Sequence, residues 1–148
     1  AKAITILAAC ELGKRRQKAT VEEAPILNSA ENIYQFMHTT IQDLDIEEGW
    51  VLMMKQNFRL IEAKRISVGG LTMAPVDLRL MMKEVLLKNT TVLAFCHNHP
   101  SGSTNPSRDD DILTSHIHKA CELLHIHFAD HVILTDGGYF SYREEGKL

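Results

Sequence analysis

Hydrophobic positions change their period several times along the chain, and each change marks a predicted element. Residues 1–19 carry Ile4, Leu7, Ala8 and Leu12 on one helical face, which predicts an amphipathic helix. The stretch TVEEAPILNSAE breaks that period at Pro25 and at Asn28-Ser29, so it reads as a linker able to cap the next helix. SAENIYQFMHTTIQDL resumes helical spacing through Ile33, Phe36, Met37 and Ile41, with His38 a surface or half-buried helix residue. WVLMM and RLIEAKRISV are extended runs joined by the polar turn KQNF, a hairpin pattern, and Gly69-Gly70 ends the second. VDLRLMMKEVLLKN is helical, with Asp77 near its start and Leu80, Met81, Val85 and Leu86 along one face. The pairs Met53-Met54 and Met81-Met82 read as core filling.

TTVLAFC is short, almost wholly apolar and rich in β-formers, the pattern of an interior strand buried on both faces. PSRDDDILTSHIHKACELLHI then predicts a helix, FADHVILTD a strand and GYFSYRE a final strand. Helices alternating with strands predict an α/β fold with a mixed sheet flanked by helices. There is no internal repeat and no low-complexity segment. Residues 1–28 form a helix and linker, and residues 29–148 the domain proper.

Composition narrows the class without naming a function. With 148 residues, 45% of them hydrophobic and 24% charged, the chain has the make-up of one globular domain. Its net charge of −3 offers no overall basic field for nucleic acid. Lys14-Arg15-Arg16 is the one basic cluster, read first as a helix C-terminus, where cations are favoured, and otherwise as a nucleic-acid contact. Cys10, Cys96 and Cys121 are too few and too scattered for a disulfide framework or a CxxC zinc site, which points to a reducing, cytoplasmic setting. No apolar run reaches membrane-spanning length, and no signal peptide opens the chain. The start within a helix and without Met is that expected of a piece of a longer protein.

The candidate chemistry lies in AFCHNHPSGSTNPSRDDD, directly after the buried strand. Three HxH pairs can be sorted by geometry, because residues i and i+2 share a face in a strand but diverge by about 200° in a helix. His116 and His118 fall inside a predicted helix and cannot both face one ion. His125 and His127 straddle a helix end and a strand start, with no carboxylate at a useful spacing. His97 and His99 instead extend the buried strand, so both imidazoles can project to one side at its C-terminal end. Pro100 forces the chain out of the sheet. Asp110 lies three residues after Ser107 in a first helical turn, either as a helix-capping partner or as a third ligand aimed by that cap. Two imidazoles and one carboxylate suit a catalytic zinc that keeps a position for water, and equally a non-haem iron. Such a site needs a general base, and spacing alone leaves Glu47, Glu48 and Glu62 as candidates.

The motif formed by His97, His99, Pro100, Ser101, Gly102, Pro106, Ser107 and Asp110 resembles the JAMM metal motif. In its HNHPSG form it is similar to the RadC family, whose body is an MPN/JAMM domain. ADHVILTDGGYFSYREEG and RISVGGLTMAPVDLR resemble that family's closing strands and central strand-to-helix segment. KAITILAACELGKRR resembles the helix that follows a helix-hairpin-helix module in longer members. The resemblance implies a fold of cytidine-deaminase-like architecture with zinc held by His97, His99 and Asp110. It implies a metallopeptidase type of activity on peptide or isopeptide bonds, with Glu47 as general base and Glu48 one register away. Gly49 departs from the aromatic usual there. Ser107 matches the motif serine that helps to stabilise an oxyanion.

Two other classes compete with this reading. The family's traditional link to DNA repair implies a noncatalytic nucleic-acid or protein interaction module with a structural or vestigial metal site, and DNA contact through the wider protein. A nucleobase deaminase requires H-x-E and P-C-x-x-C, which the chain lacks. A serine hydrolase lacks its G-x-S-x-G elbow. Exposed edge strands leave room for a dimer.

Overall fold

The computed structural model describes residues 1–69 and 76–148, and the side chains of the first helix as far as residue 12. The Lys14-Arg15-Arg16 cluster lies outside the described side chains, and Gly70 outside the described residues. Helix α1 spans Lys2–Glu23. It overruns the predicted end at residue 19 because no breaker intervenes before Pro25, whose preceding residue Ala24 is extended, as a residue before proline prefers. The predicted apolar stripe of α1 covers no core among the described residues. Ile4, Leu7 and Leu12 are all exposed.

The remaining elements run in the order α2 (Ala30–Ile41), β1 (Glu48–Met54), β2 (Leu60–Val68), α3 (Leu78–Leu87), β3 (Val92–Asn98), α4 (Arg108–Leu123), β4 (His127–Thr135) and β5 (Gly138–Ser141). The five strands form one mixed sheet in the order β2-β1-β3-β4-β5. Among the described strands only β3 and β4 run parallel, and α4 supplies the crossover that a parallel pair requires. The architecture is the mixed α/β sheet flanked by helices that the sequence pattern predicts. No helix among the described residues is long and apolar enough to cross a membrane.

Alternation along the strands divides the core into two layers. On one face, Leu52, Met54, Ala94, Cys96, Val132 and Leu134 pack against Ile33, Met37 and Ile41 of α2. On the other, Val51, Met53, Leu93 and Phe95 pack against Met81, Met82 and Val85 of α3 and Ile117 and Cys121 of α4. The buried face of α3 is rotated from the predicted one, since Leu80 and Leu86 are exposed and Met82 is buried in their place. The helix is apolar around most of its circumference, so its period does not choose a face. Both Met-Met pairs fill the core. Strand β3 is buried at every position, as a central strand covered on both sides must be.

One close approach matters for the site. Gly49 pairs with His97 across the β1–β3 ladder and with Ser67 across β1–β2. A Cβ at Gly49 would stand 2.4 Å from Ser67 Oγ and 3.0 Å from Phe95 Cζ. The aromatic ring over this position comes from Phe95 on the neighbouring strand, and no room remains for a side chain on β1. Gly49→Ala is therefore expected to lower folding stability by about 1–3 kcal/mol through overpacking. Adding Ser67→Ala, which removes the nearer obstacle, is expected to restore part of it, as read by urea or thermal denaturation of both variants.

Candidate metal centre

The chemistry gathers where β3 leaves the sheet. His97 is the second-last residue of the strand, and the His99 N–H continues the ladder by donating to the Leu134 carbonyl at 2.9 Å. His97 and His99 thus share the face of the sheet that carries Phe95 and α4. Their Nε2 atoms stand 3.0 Å apart. The Asp110 carboxylate closes the group, with Oδ1 3.1 Å from His97 Nε2 and Oδ2 3.6 Å from His99 Nε2. One ligand atom from each of the three lies within 4.8 Å of the others.

Local sequence aims each group. Pro100 turns the chain out of the sheet, and the Gly102 N–H donates to the His99 carbonyl at 3.0 Å. Gly102 takes a positive φ of 80°, open to glycine, and this brings the Ser103 carbonyl back to His99 Nδ1 at 2.8 Å. Ser107 then begins α4 as its N-cap. Its hydroxyl accepts from the Asp110 N–H at 3.1 Å, while the Ser107 N–H donates to Asp110 Oδ2 at 2.7 Å, a complete capping box. The Ser107 hydroxyl also donates to Oδ2 at 2.8 Å. Capping and ligand-aiming are one arrangement, because the bonds that start the helix also hold the carboxylate. Asp109 and Asp111 point to solvent, where Asp111 accepts from the Tyr142 hydroxyl at 2.8 Å.

Hydrogen-bond direction tests whether a cation fits. The Ser103 carbonyl can only accept, so His99 Nδ1 carries a proton and Nε2 is the nitrogen turned to the cluster. His97 Nδ1 lies 2.9 Å from His131 Nε2, turned away from the cluster, which leaves its Nε2 facing the same space. Two imidazole nitrogens and a carboxylate oxygen therefore converge on one point. Donors about 2.0–2.1 Å from a tetrahedral zinc stand about 3.3 Å apart, close to the spacings seen here. The donor set and its separations fit a divalent cation. Burial pushes the Asp110 carboxyl up, but the His97 and His99 rings and the Ser107 N–H outweigh it and hold it well below the usual carboxylate range. His99 is raised, chiefly by Asp110, with a smaller contribution from the charge of Glu47.

The three candidate bases fall in different places. Glu47 and Glu48 differ by one residue and so belong to opposite faces. Gly49 opposes His97 in the ladder, which sets Glu47 on the face of the two histidines and Glu48 on the other. Glu48 is buried there, bound to Arg65 at 2.7 Å and to the Trp50 indole N–H at 3.1 Å. Glu62 lies on β2 opposite Met53 of β1, far down the sheet, and is bridged to Lys88 at 2.6 Å. The pairs His116/His118 and His125/His127 are exposed and apart from the cluster.

Sequence reasoning missed three polar residues. Asn98 lies between the two histidines on the opposite face, where its Oδ1 accepts from the Glu48 N–H at 2.7 Å and its amide donates to the Ile46 carbonyl at 2.9 Å. It thereby clamps the backbone on both sides of Glu47. His131 and Thr114 are buried behind His97, and Thr114 Oγ1 lies in hydrogen-bond contact with His131 Nδ1. Burial drives the His131 ring well below the ordinary imidazole range. The adjacent polar pair Asp130-His131 within the mainly apolar run FADHVILTD is a signal that could have marked His131.

Comparison with known proteins agrees with the motif and with the fold around it. The family model described as RadC-like JAB domain matches residues 27–147. A UPF0758 protein of Flavobacterium johnsoniae is 38% identical over 99% of this chain and 64% of its own length. UPF0758 proteins of Porphyromonas gingivalis and Thermotoga maritima are 35% and 33% identical over 100% and 99% of the chain, each over 66% of its own length. The chain thus spans about two thirds of the length of these relatives, and its own length falls almost wholly within the match. It belongs to the RadC-like JAB domain family.

Proposed function

We propose that this chain is a zinc-dependent hydrolase of the JAMM metallopeptidase type, which cleaves a peptide or isopeptide bond. The observation that carries the reading is the convergence of His97 Nε2, His99 Nε2 and Asp110 on one point, beneath the face that Glu47 shares. Those three residues would hold the ion. When bound, a zinc ion supplies Lewis acidity, which polarises a carbonyl and draws the pKa of a coordinated water toward neutrality.

The chain's own residues supply the rest. Glu47 takes a proton from the attacking water and returns it to the leaving amine, the work of a single carboxylate used first as base and then as acid. Asn98 holds the backbone that presents it. The Ser107 hydroxyl donates to Asp110 Oδ2 in this structure and becomes an oxyanion donor when it turns from that oxygen to the substrate. Strand β3, paired on both sides, gives the ligands a rigid base. The substrate is an extended polypeptide or a lysine-linked isopeptide whose carbonyl reaches the mouth of the site.

Elemental analysis of the purified protein is expected to show one zinc per chain rather than iron, lost in both His99→Ala and Asp110→Ala. Metal-free protein that stays folded after zinc is supplied would overturn the reading. Against a panel of fluorogenic peptides and isopeptide-linked pairs, Glu47→Gln is expected to keep its zinc and lose about 10²–10⁴-fold in kcat. Glu48→Gln, on the far face, is expected to keep both its metal and nearly all its rate. Loss of rate in Glu48→Gln with retention in Glu47→Gln would exchange their roles.

A further inference from the structure

Helix α4 carries a second polar face, turned away from the histidines. Asp110 points to His97 and His99, while Asp111 lines a cavity of about 460 Å³ with Ser115, His118 and Lys119. Lys147 and Leu148 of the C-terminal segment form the facing wall. Between the walls lie Thr114 and Tyr142, both buried, so the cavity has a fixed floor. The Thr114 hydroxyl donates to the Asp110 carbonyl at 2.7 Å, and the Tyr142 ring is stacked on His131 with 8° between planes.

The lining holds more donors than acceptors. Its one acidic side chain among the described residues, Asp111, already accepts from the Tyr142 hydroxyl at 2.8 Å. Lys119 and Lys147 have no carboxylate partner among the described residues. The chain itself aims Lys147. Gly146 takes a positive φ of 67°, and the Lys147 N–H donates to the Tyr142 carbonyl at 2.8 Å, which folds the segment back toward α4. Its ammonium comes to rest 5.5 Å from the centre of the Phe140 ring. Two ammonium groups, a hydroxyl and an imidazole thus face one carboxylate that is already engaged.

We propose that this cavity binds a small organic phosphate, a phosphate monoester on an apolar body. Such a group carries about two negative charges at neutral pH and three strong acceptor oxygens, the complement of two lysines with Ser115 and His118. The volume falls in the range of small-molecule sites and is far more than a bare phosphate fills, so the ligand has a body. Leu148, the Thr114 methyl and the Tyr142 ring give that body an apolar surface. The site takes none of its side chains from the metal centre, and the inference does not rest on the metal reading.

The probe is phenyl phosphate, titrated into the ¹⁵N-labelled full chain and followed by ¹H–¹⁵N NMR and calorimetry. Inorganic phosphate and phenol are titrated separately, each holding one half of the recognised chemistry. Phenyl phosphate is expected to bind saturably with a Kd of about 1 mM or below, moving the amides of Ser115, His118, Lys119 and Lys147. The two halves are expected to bind about 10-fold more weakly or worse. Lys119→Gln and Lys147→Gln are each expected to weaken phenyl phosphate by about 3–10-fold. Lys55→Gln, in the exposed turn between β1 and β2, is expected to leave it unchanged. All three lysines are exposed, so the variants stay folded and a loss of binding reports on the cavity. Absence of saturable binding at millimolar phenyl phosphate would overturn the proposal, as would shifts confined to another surface. Unchanged affinity in the Lys119→Gln/Lys147→Gln double variant would do the same. Equal binding of inorganic phosphate would refute the organic body, equal binding of phenol would refute the anion, and either result overturns the proposal.

Discussion

The antiparallel register between β1 and β3 is the constraint on which the site depends. With Gly49 opposite His97, every odd-numbered residue at this end of β1 shares the face of the two histidines. That single pairing decides which of two adjacent glutamates faces the cluster. It also decides that position 49 has no side chain, because Phe95 and Ser67 close over it. A slip of one residue would exchange Glu47 for Glu48 and turn Trp50 into the site. Asn98 guards against that slip, since its two hydrogen bonds to the Ile46–Glu48 backbone exist in one register only. Glu48 adds a second lock by pairing with Arg65 and Trp50 on the far face.

Burying two imidazoles and a carboxylate together is expensive unless every polar atom is committed. Here the outer nitrogen of each histidine has a partner, and Asp110 shares three hydrogen bonds with Ser107 at the start of its helix. The two Nε2 atoms are turned toward each other at 3.0 Å, with the Asp110 carboxylate beside them. Two nitrogens and a carboxylate so placed call for positive charge between them. The outer nitrogens and the carboxylate are thus all engaged, and the inner atoms converge on one point. This pattern separates a built site from a decorated loop, which would spread the same residues toward solvent as His116 and His118 do.

Much of this was legible in the residues because two simple periods govern it. Strand alternation put His97 and His99 on one side, and the helical spacing of Ser107 and Asp110 put the carboxylate in a first turn. The glutamate was not legible from spacing, since choosing between Glu47 and Glu48 needs the cross-strand partner. The buried face of α3 was hidden for another reason. Leucines and methionines surround that helix, and only contact with α4 and the sheet selects Met81, Met82 and Val85.

His131 was hidden by a defect in the period itself. Strict alternation from Phe128, which faces α3 and α4, would turn His131 to the opposite side of the sheet. The ladder shows why it does not. Leu93 pairs with Phe128 but Ala94 pairs with Asp130, so β4 carries one extra residue at Ala129. This bulge advances the phase by one and brings His131 beside Phe95, on the face of His97. Two neighbours, Ala129 and Asp130, consequently line the α2 side together. An irregularity that weakens the ladder is therefore what joins β4 to the site, and the hydrogen bonds from His97 to His131 and Thr114 depend on it.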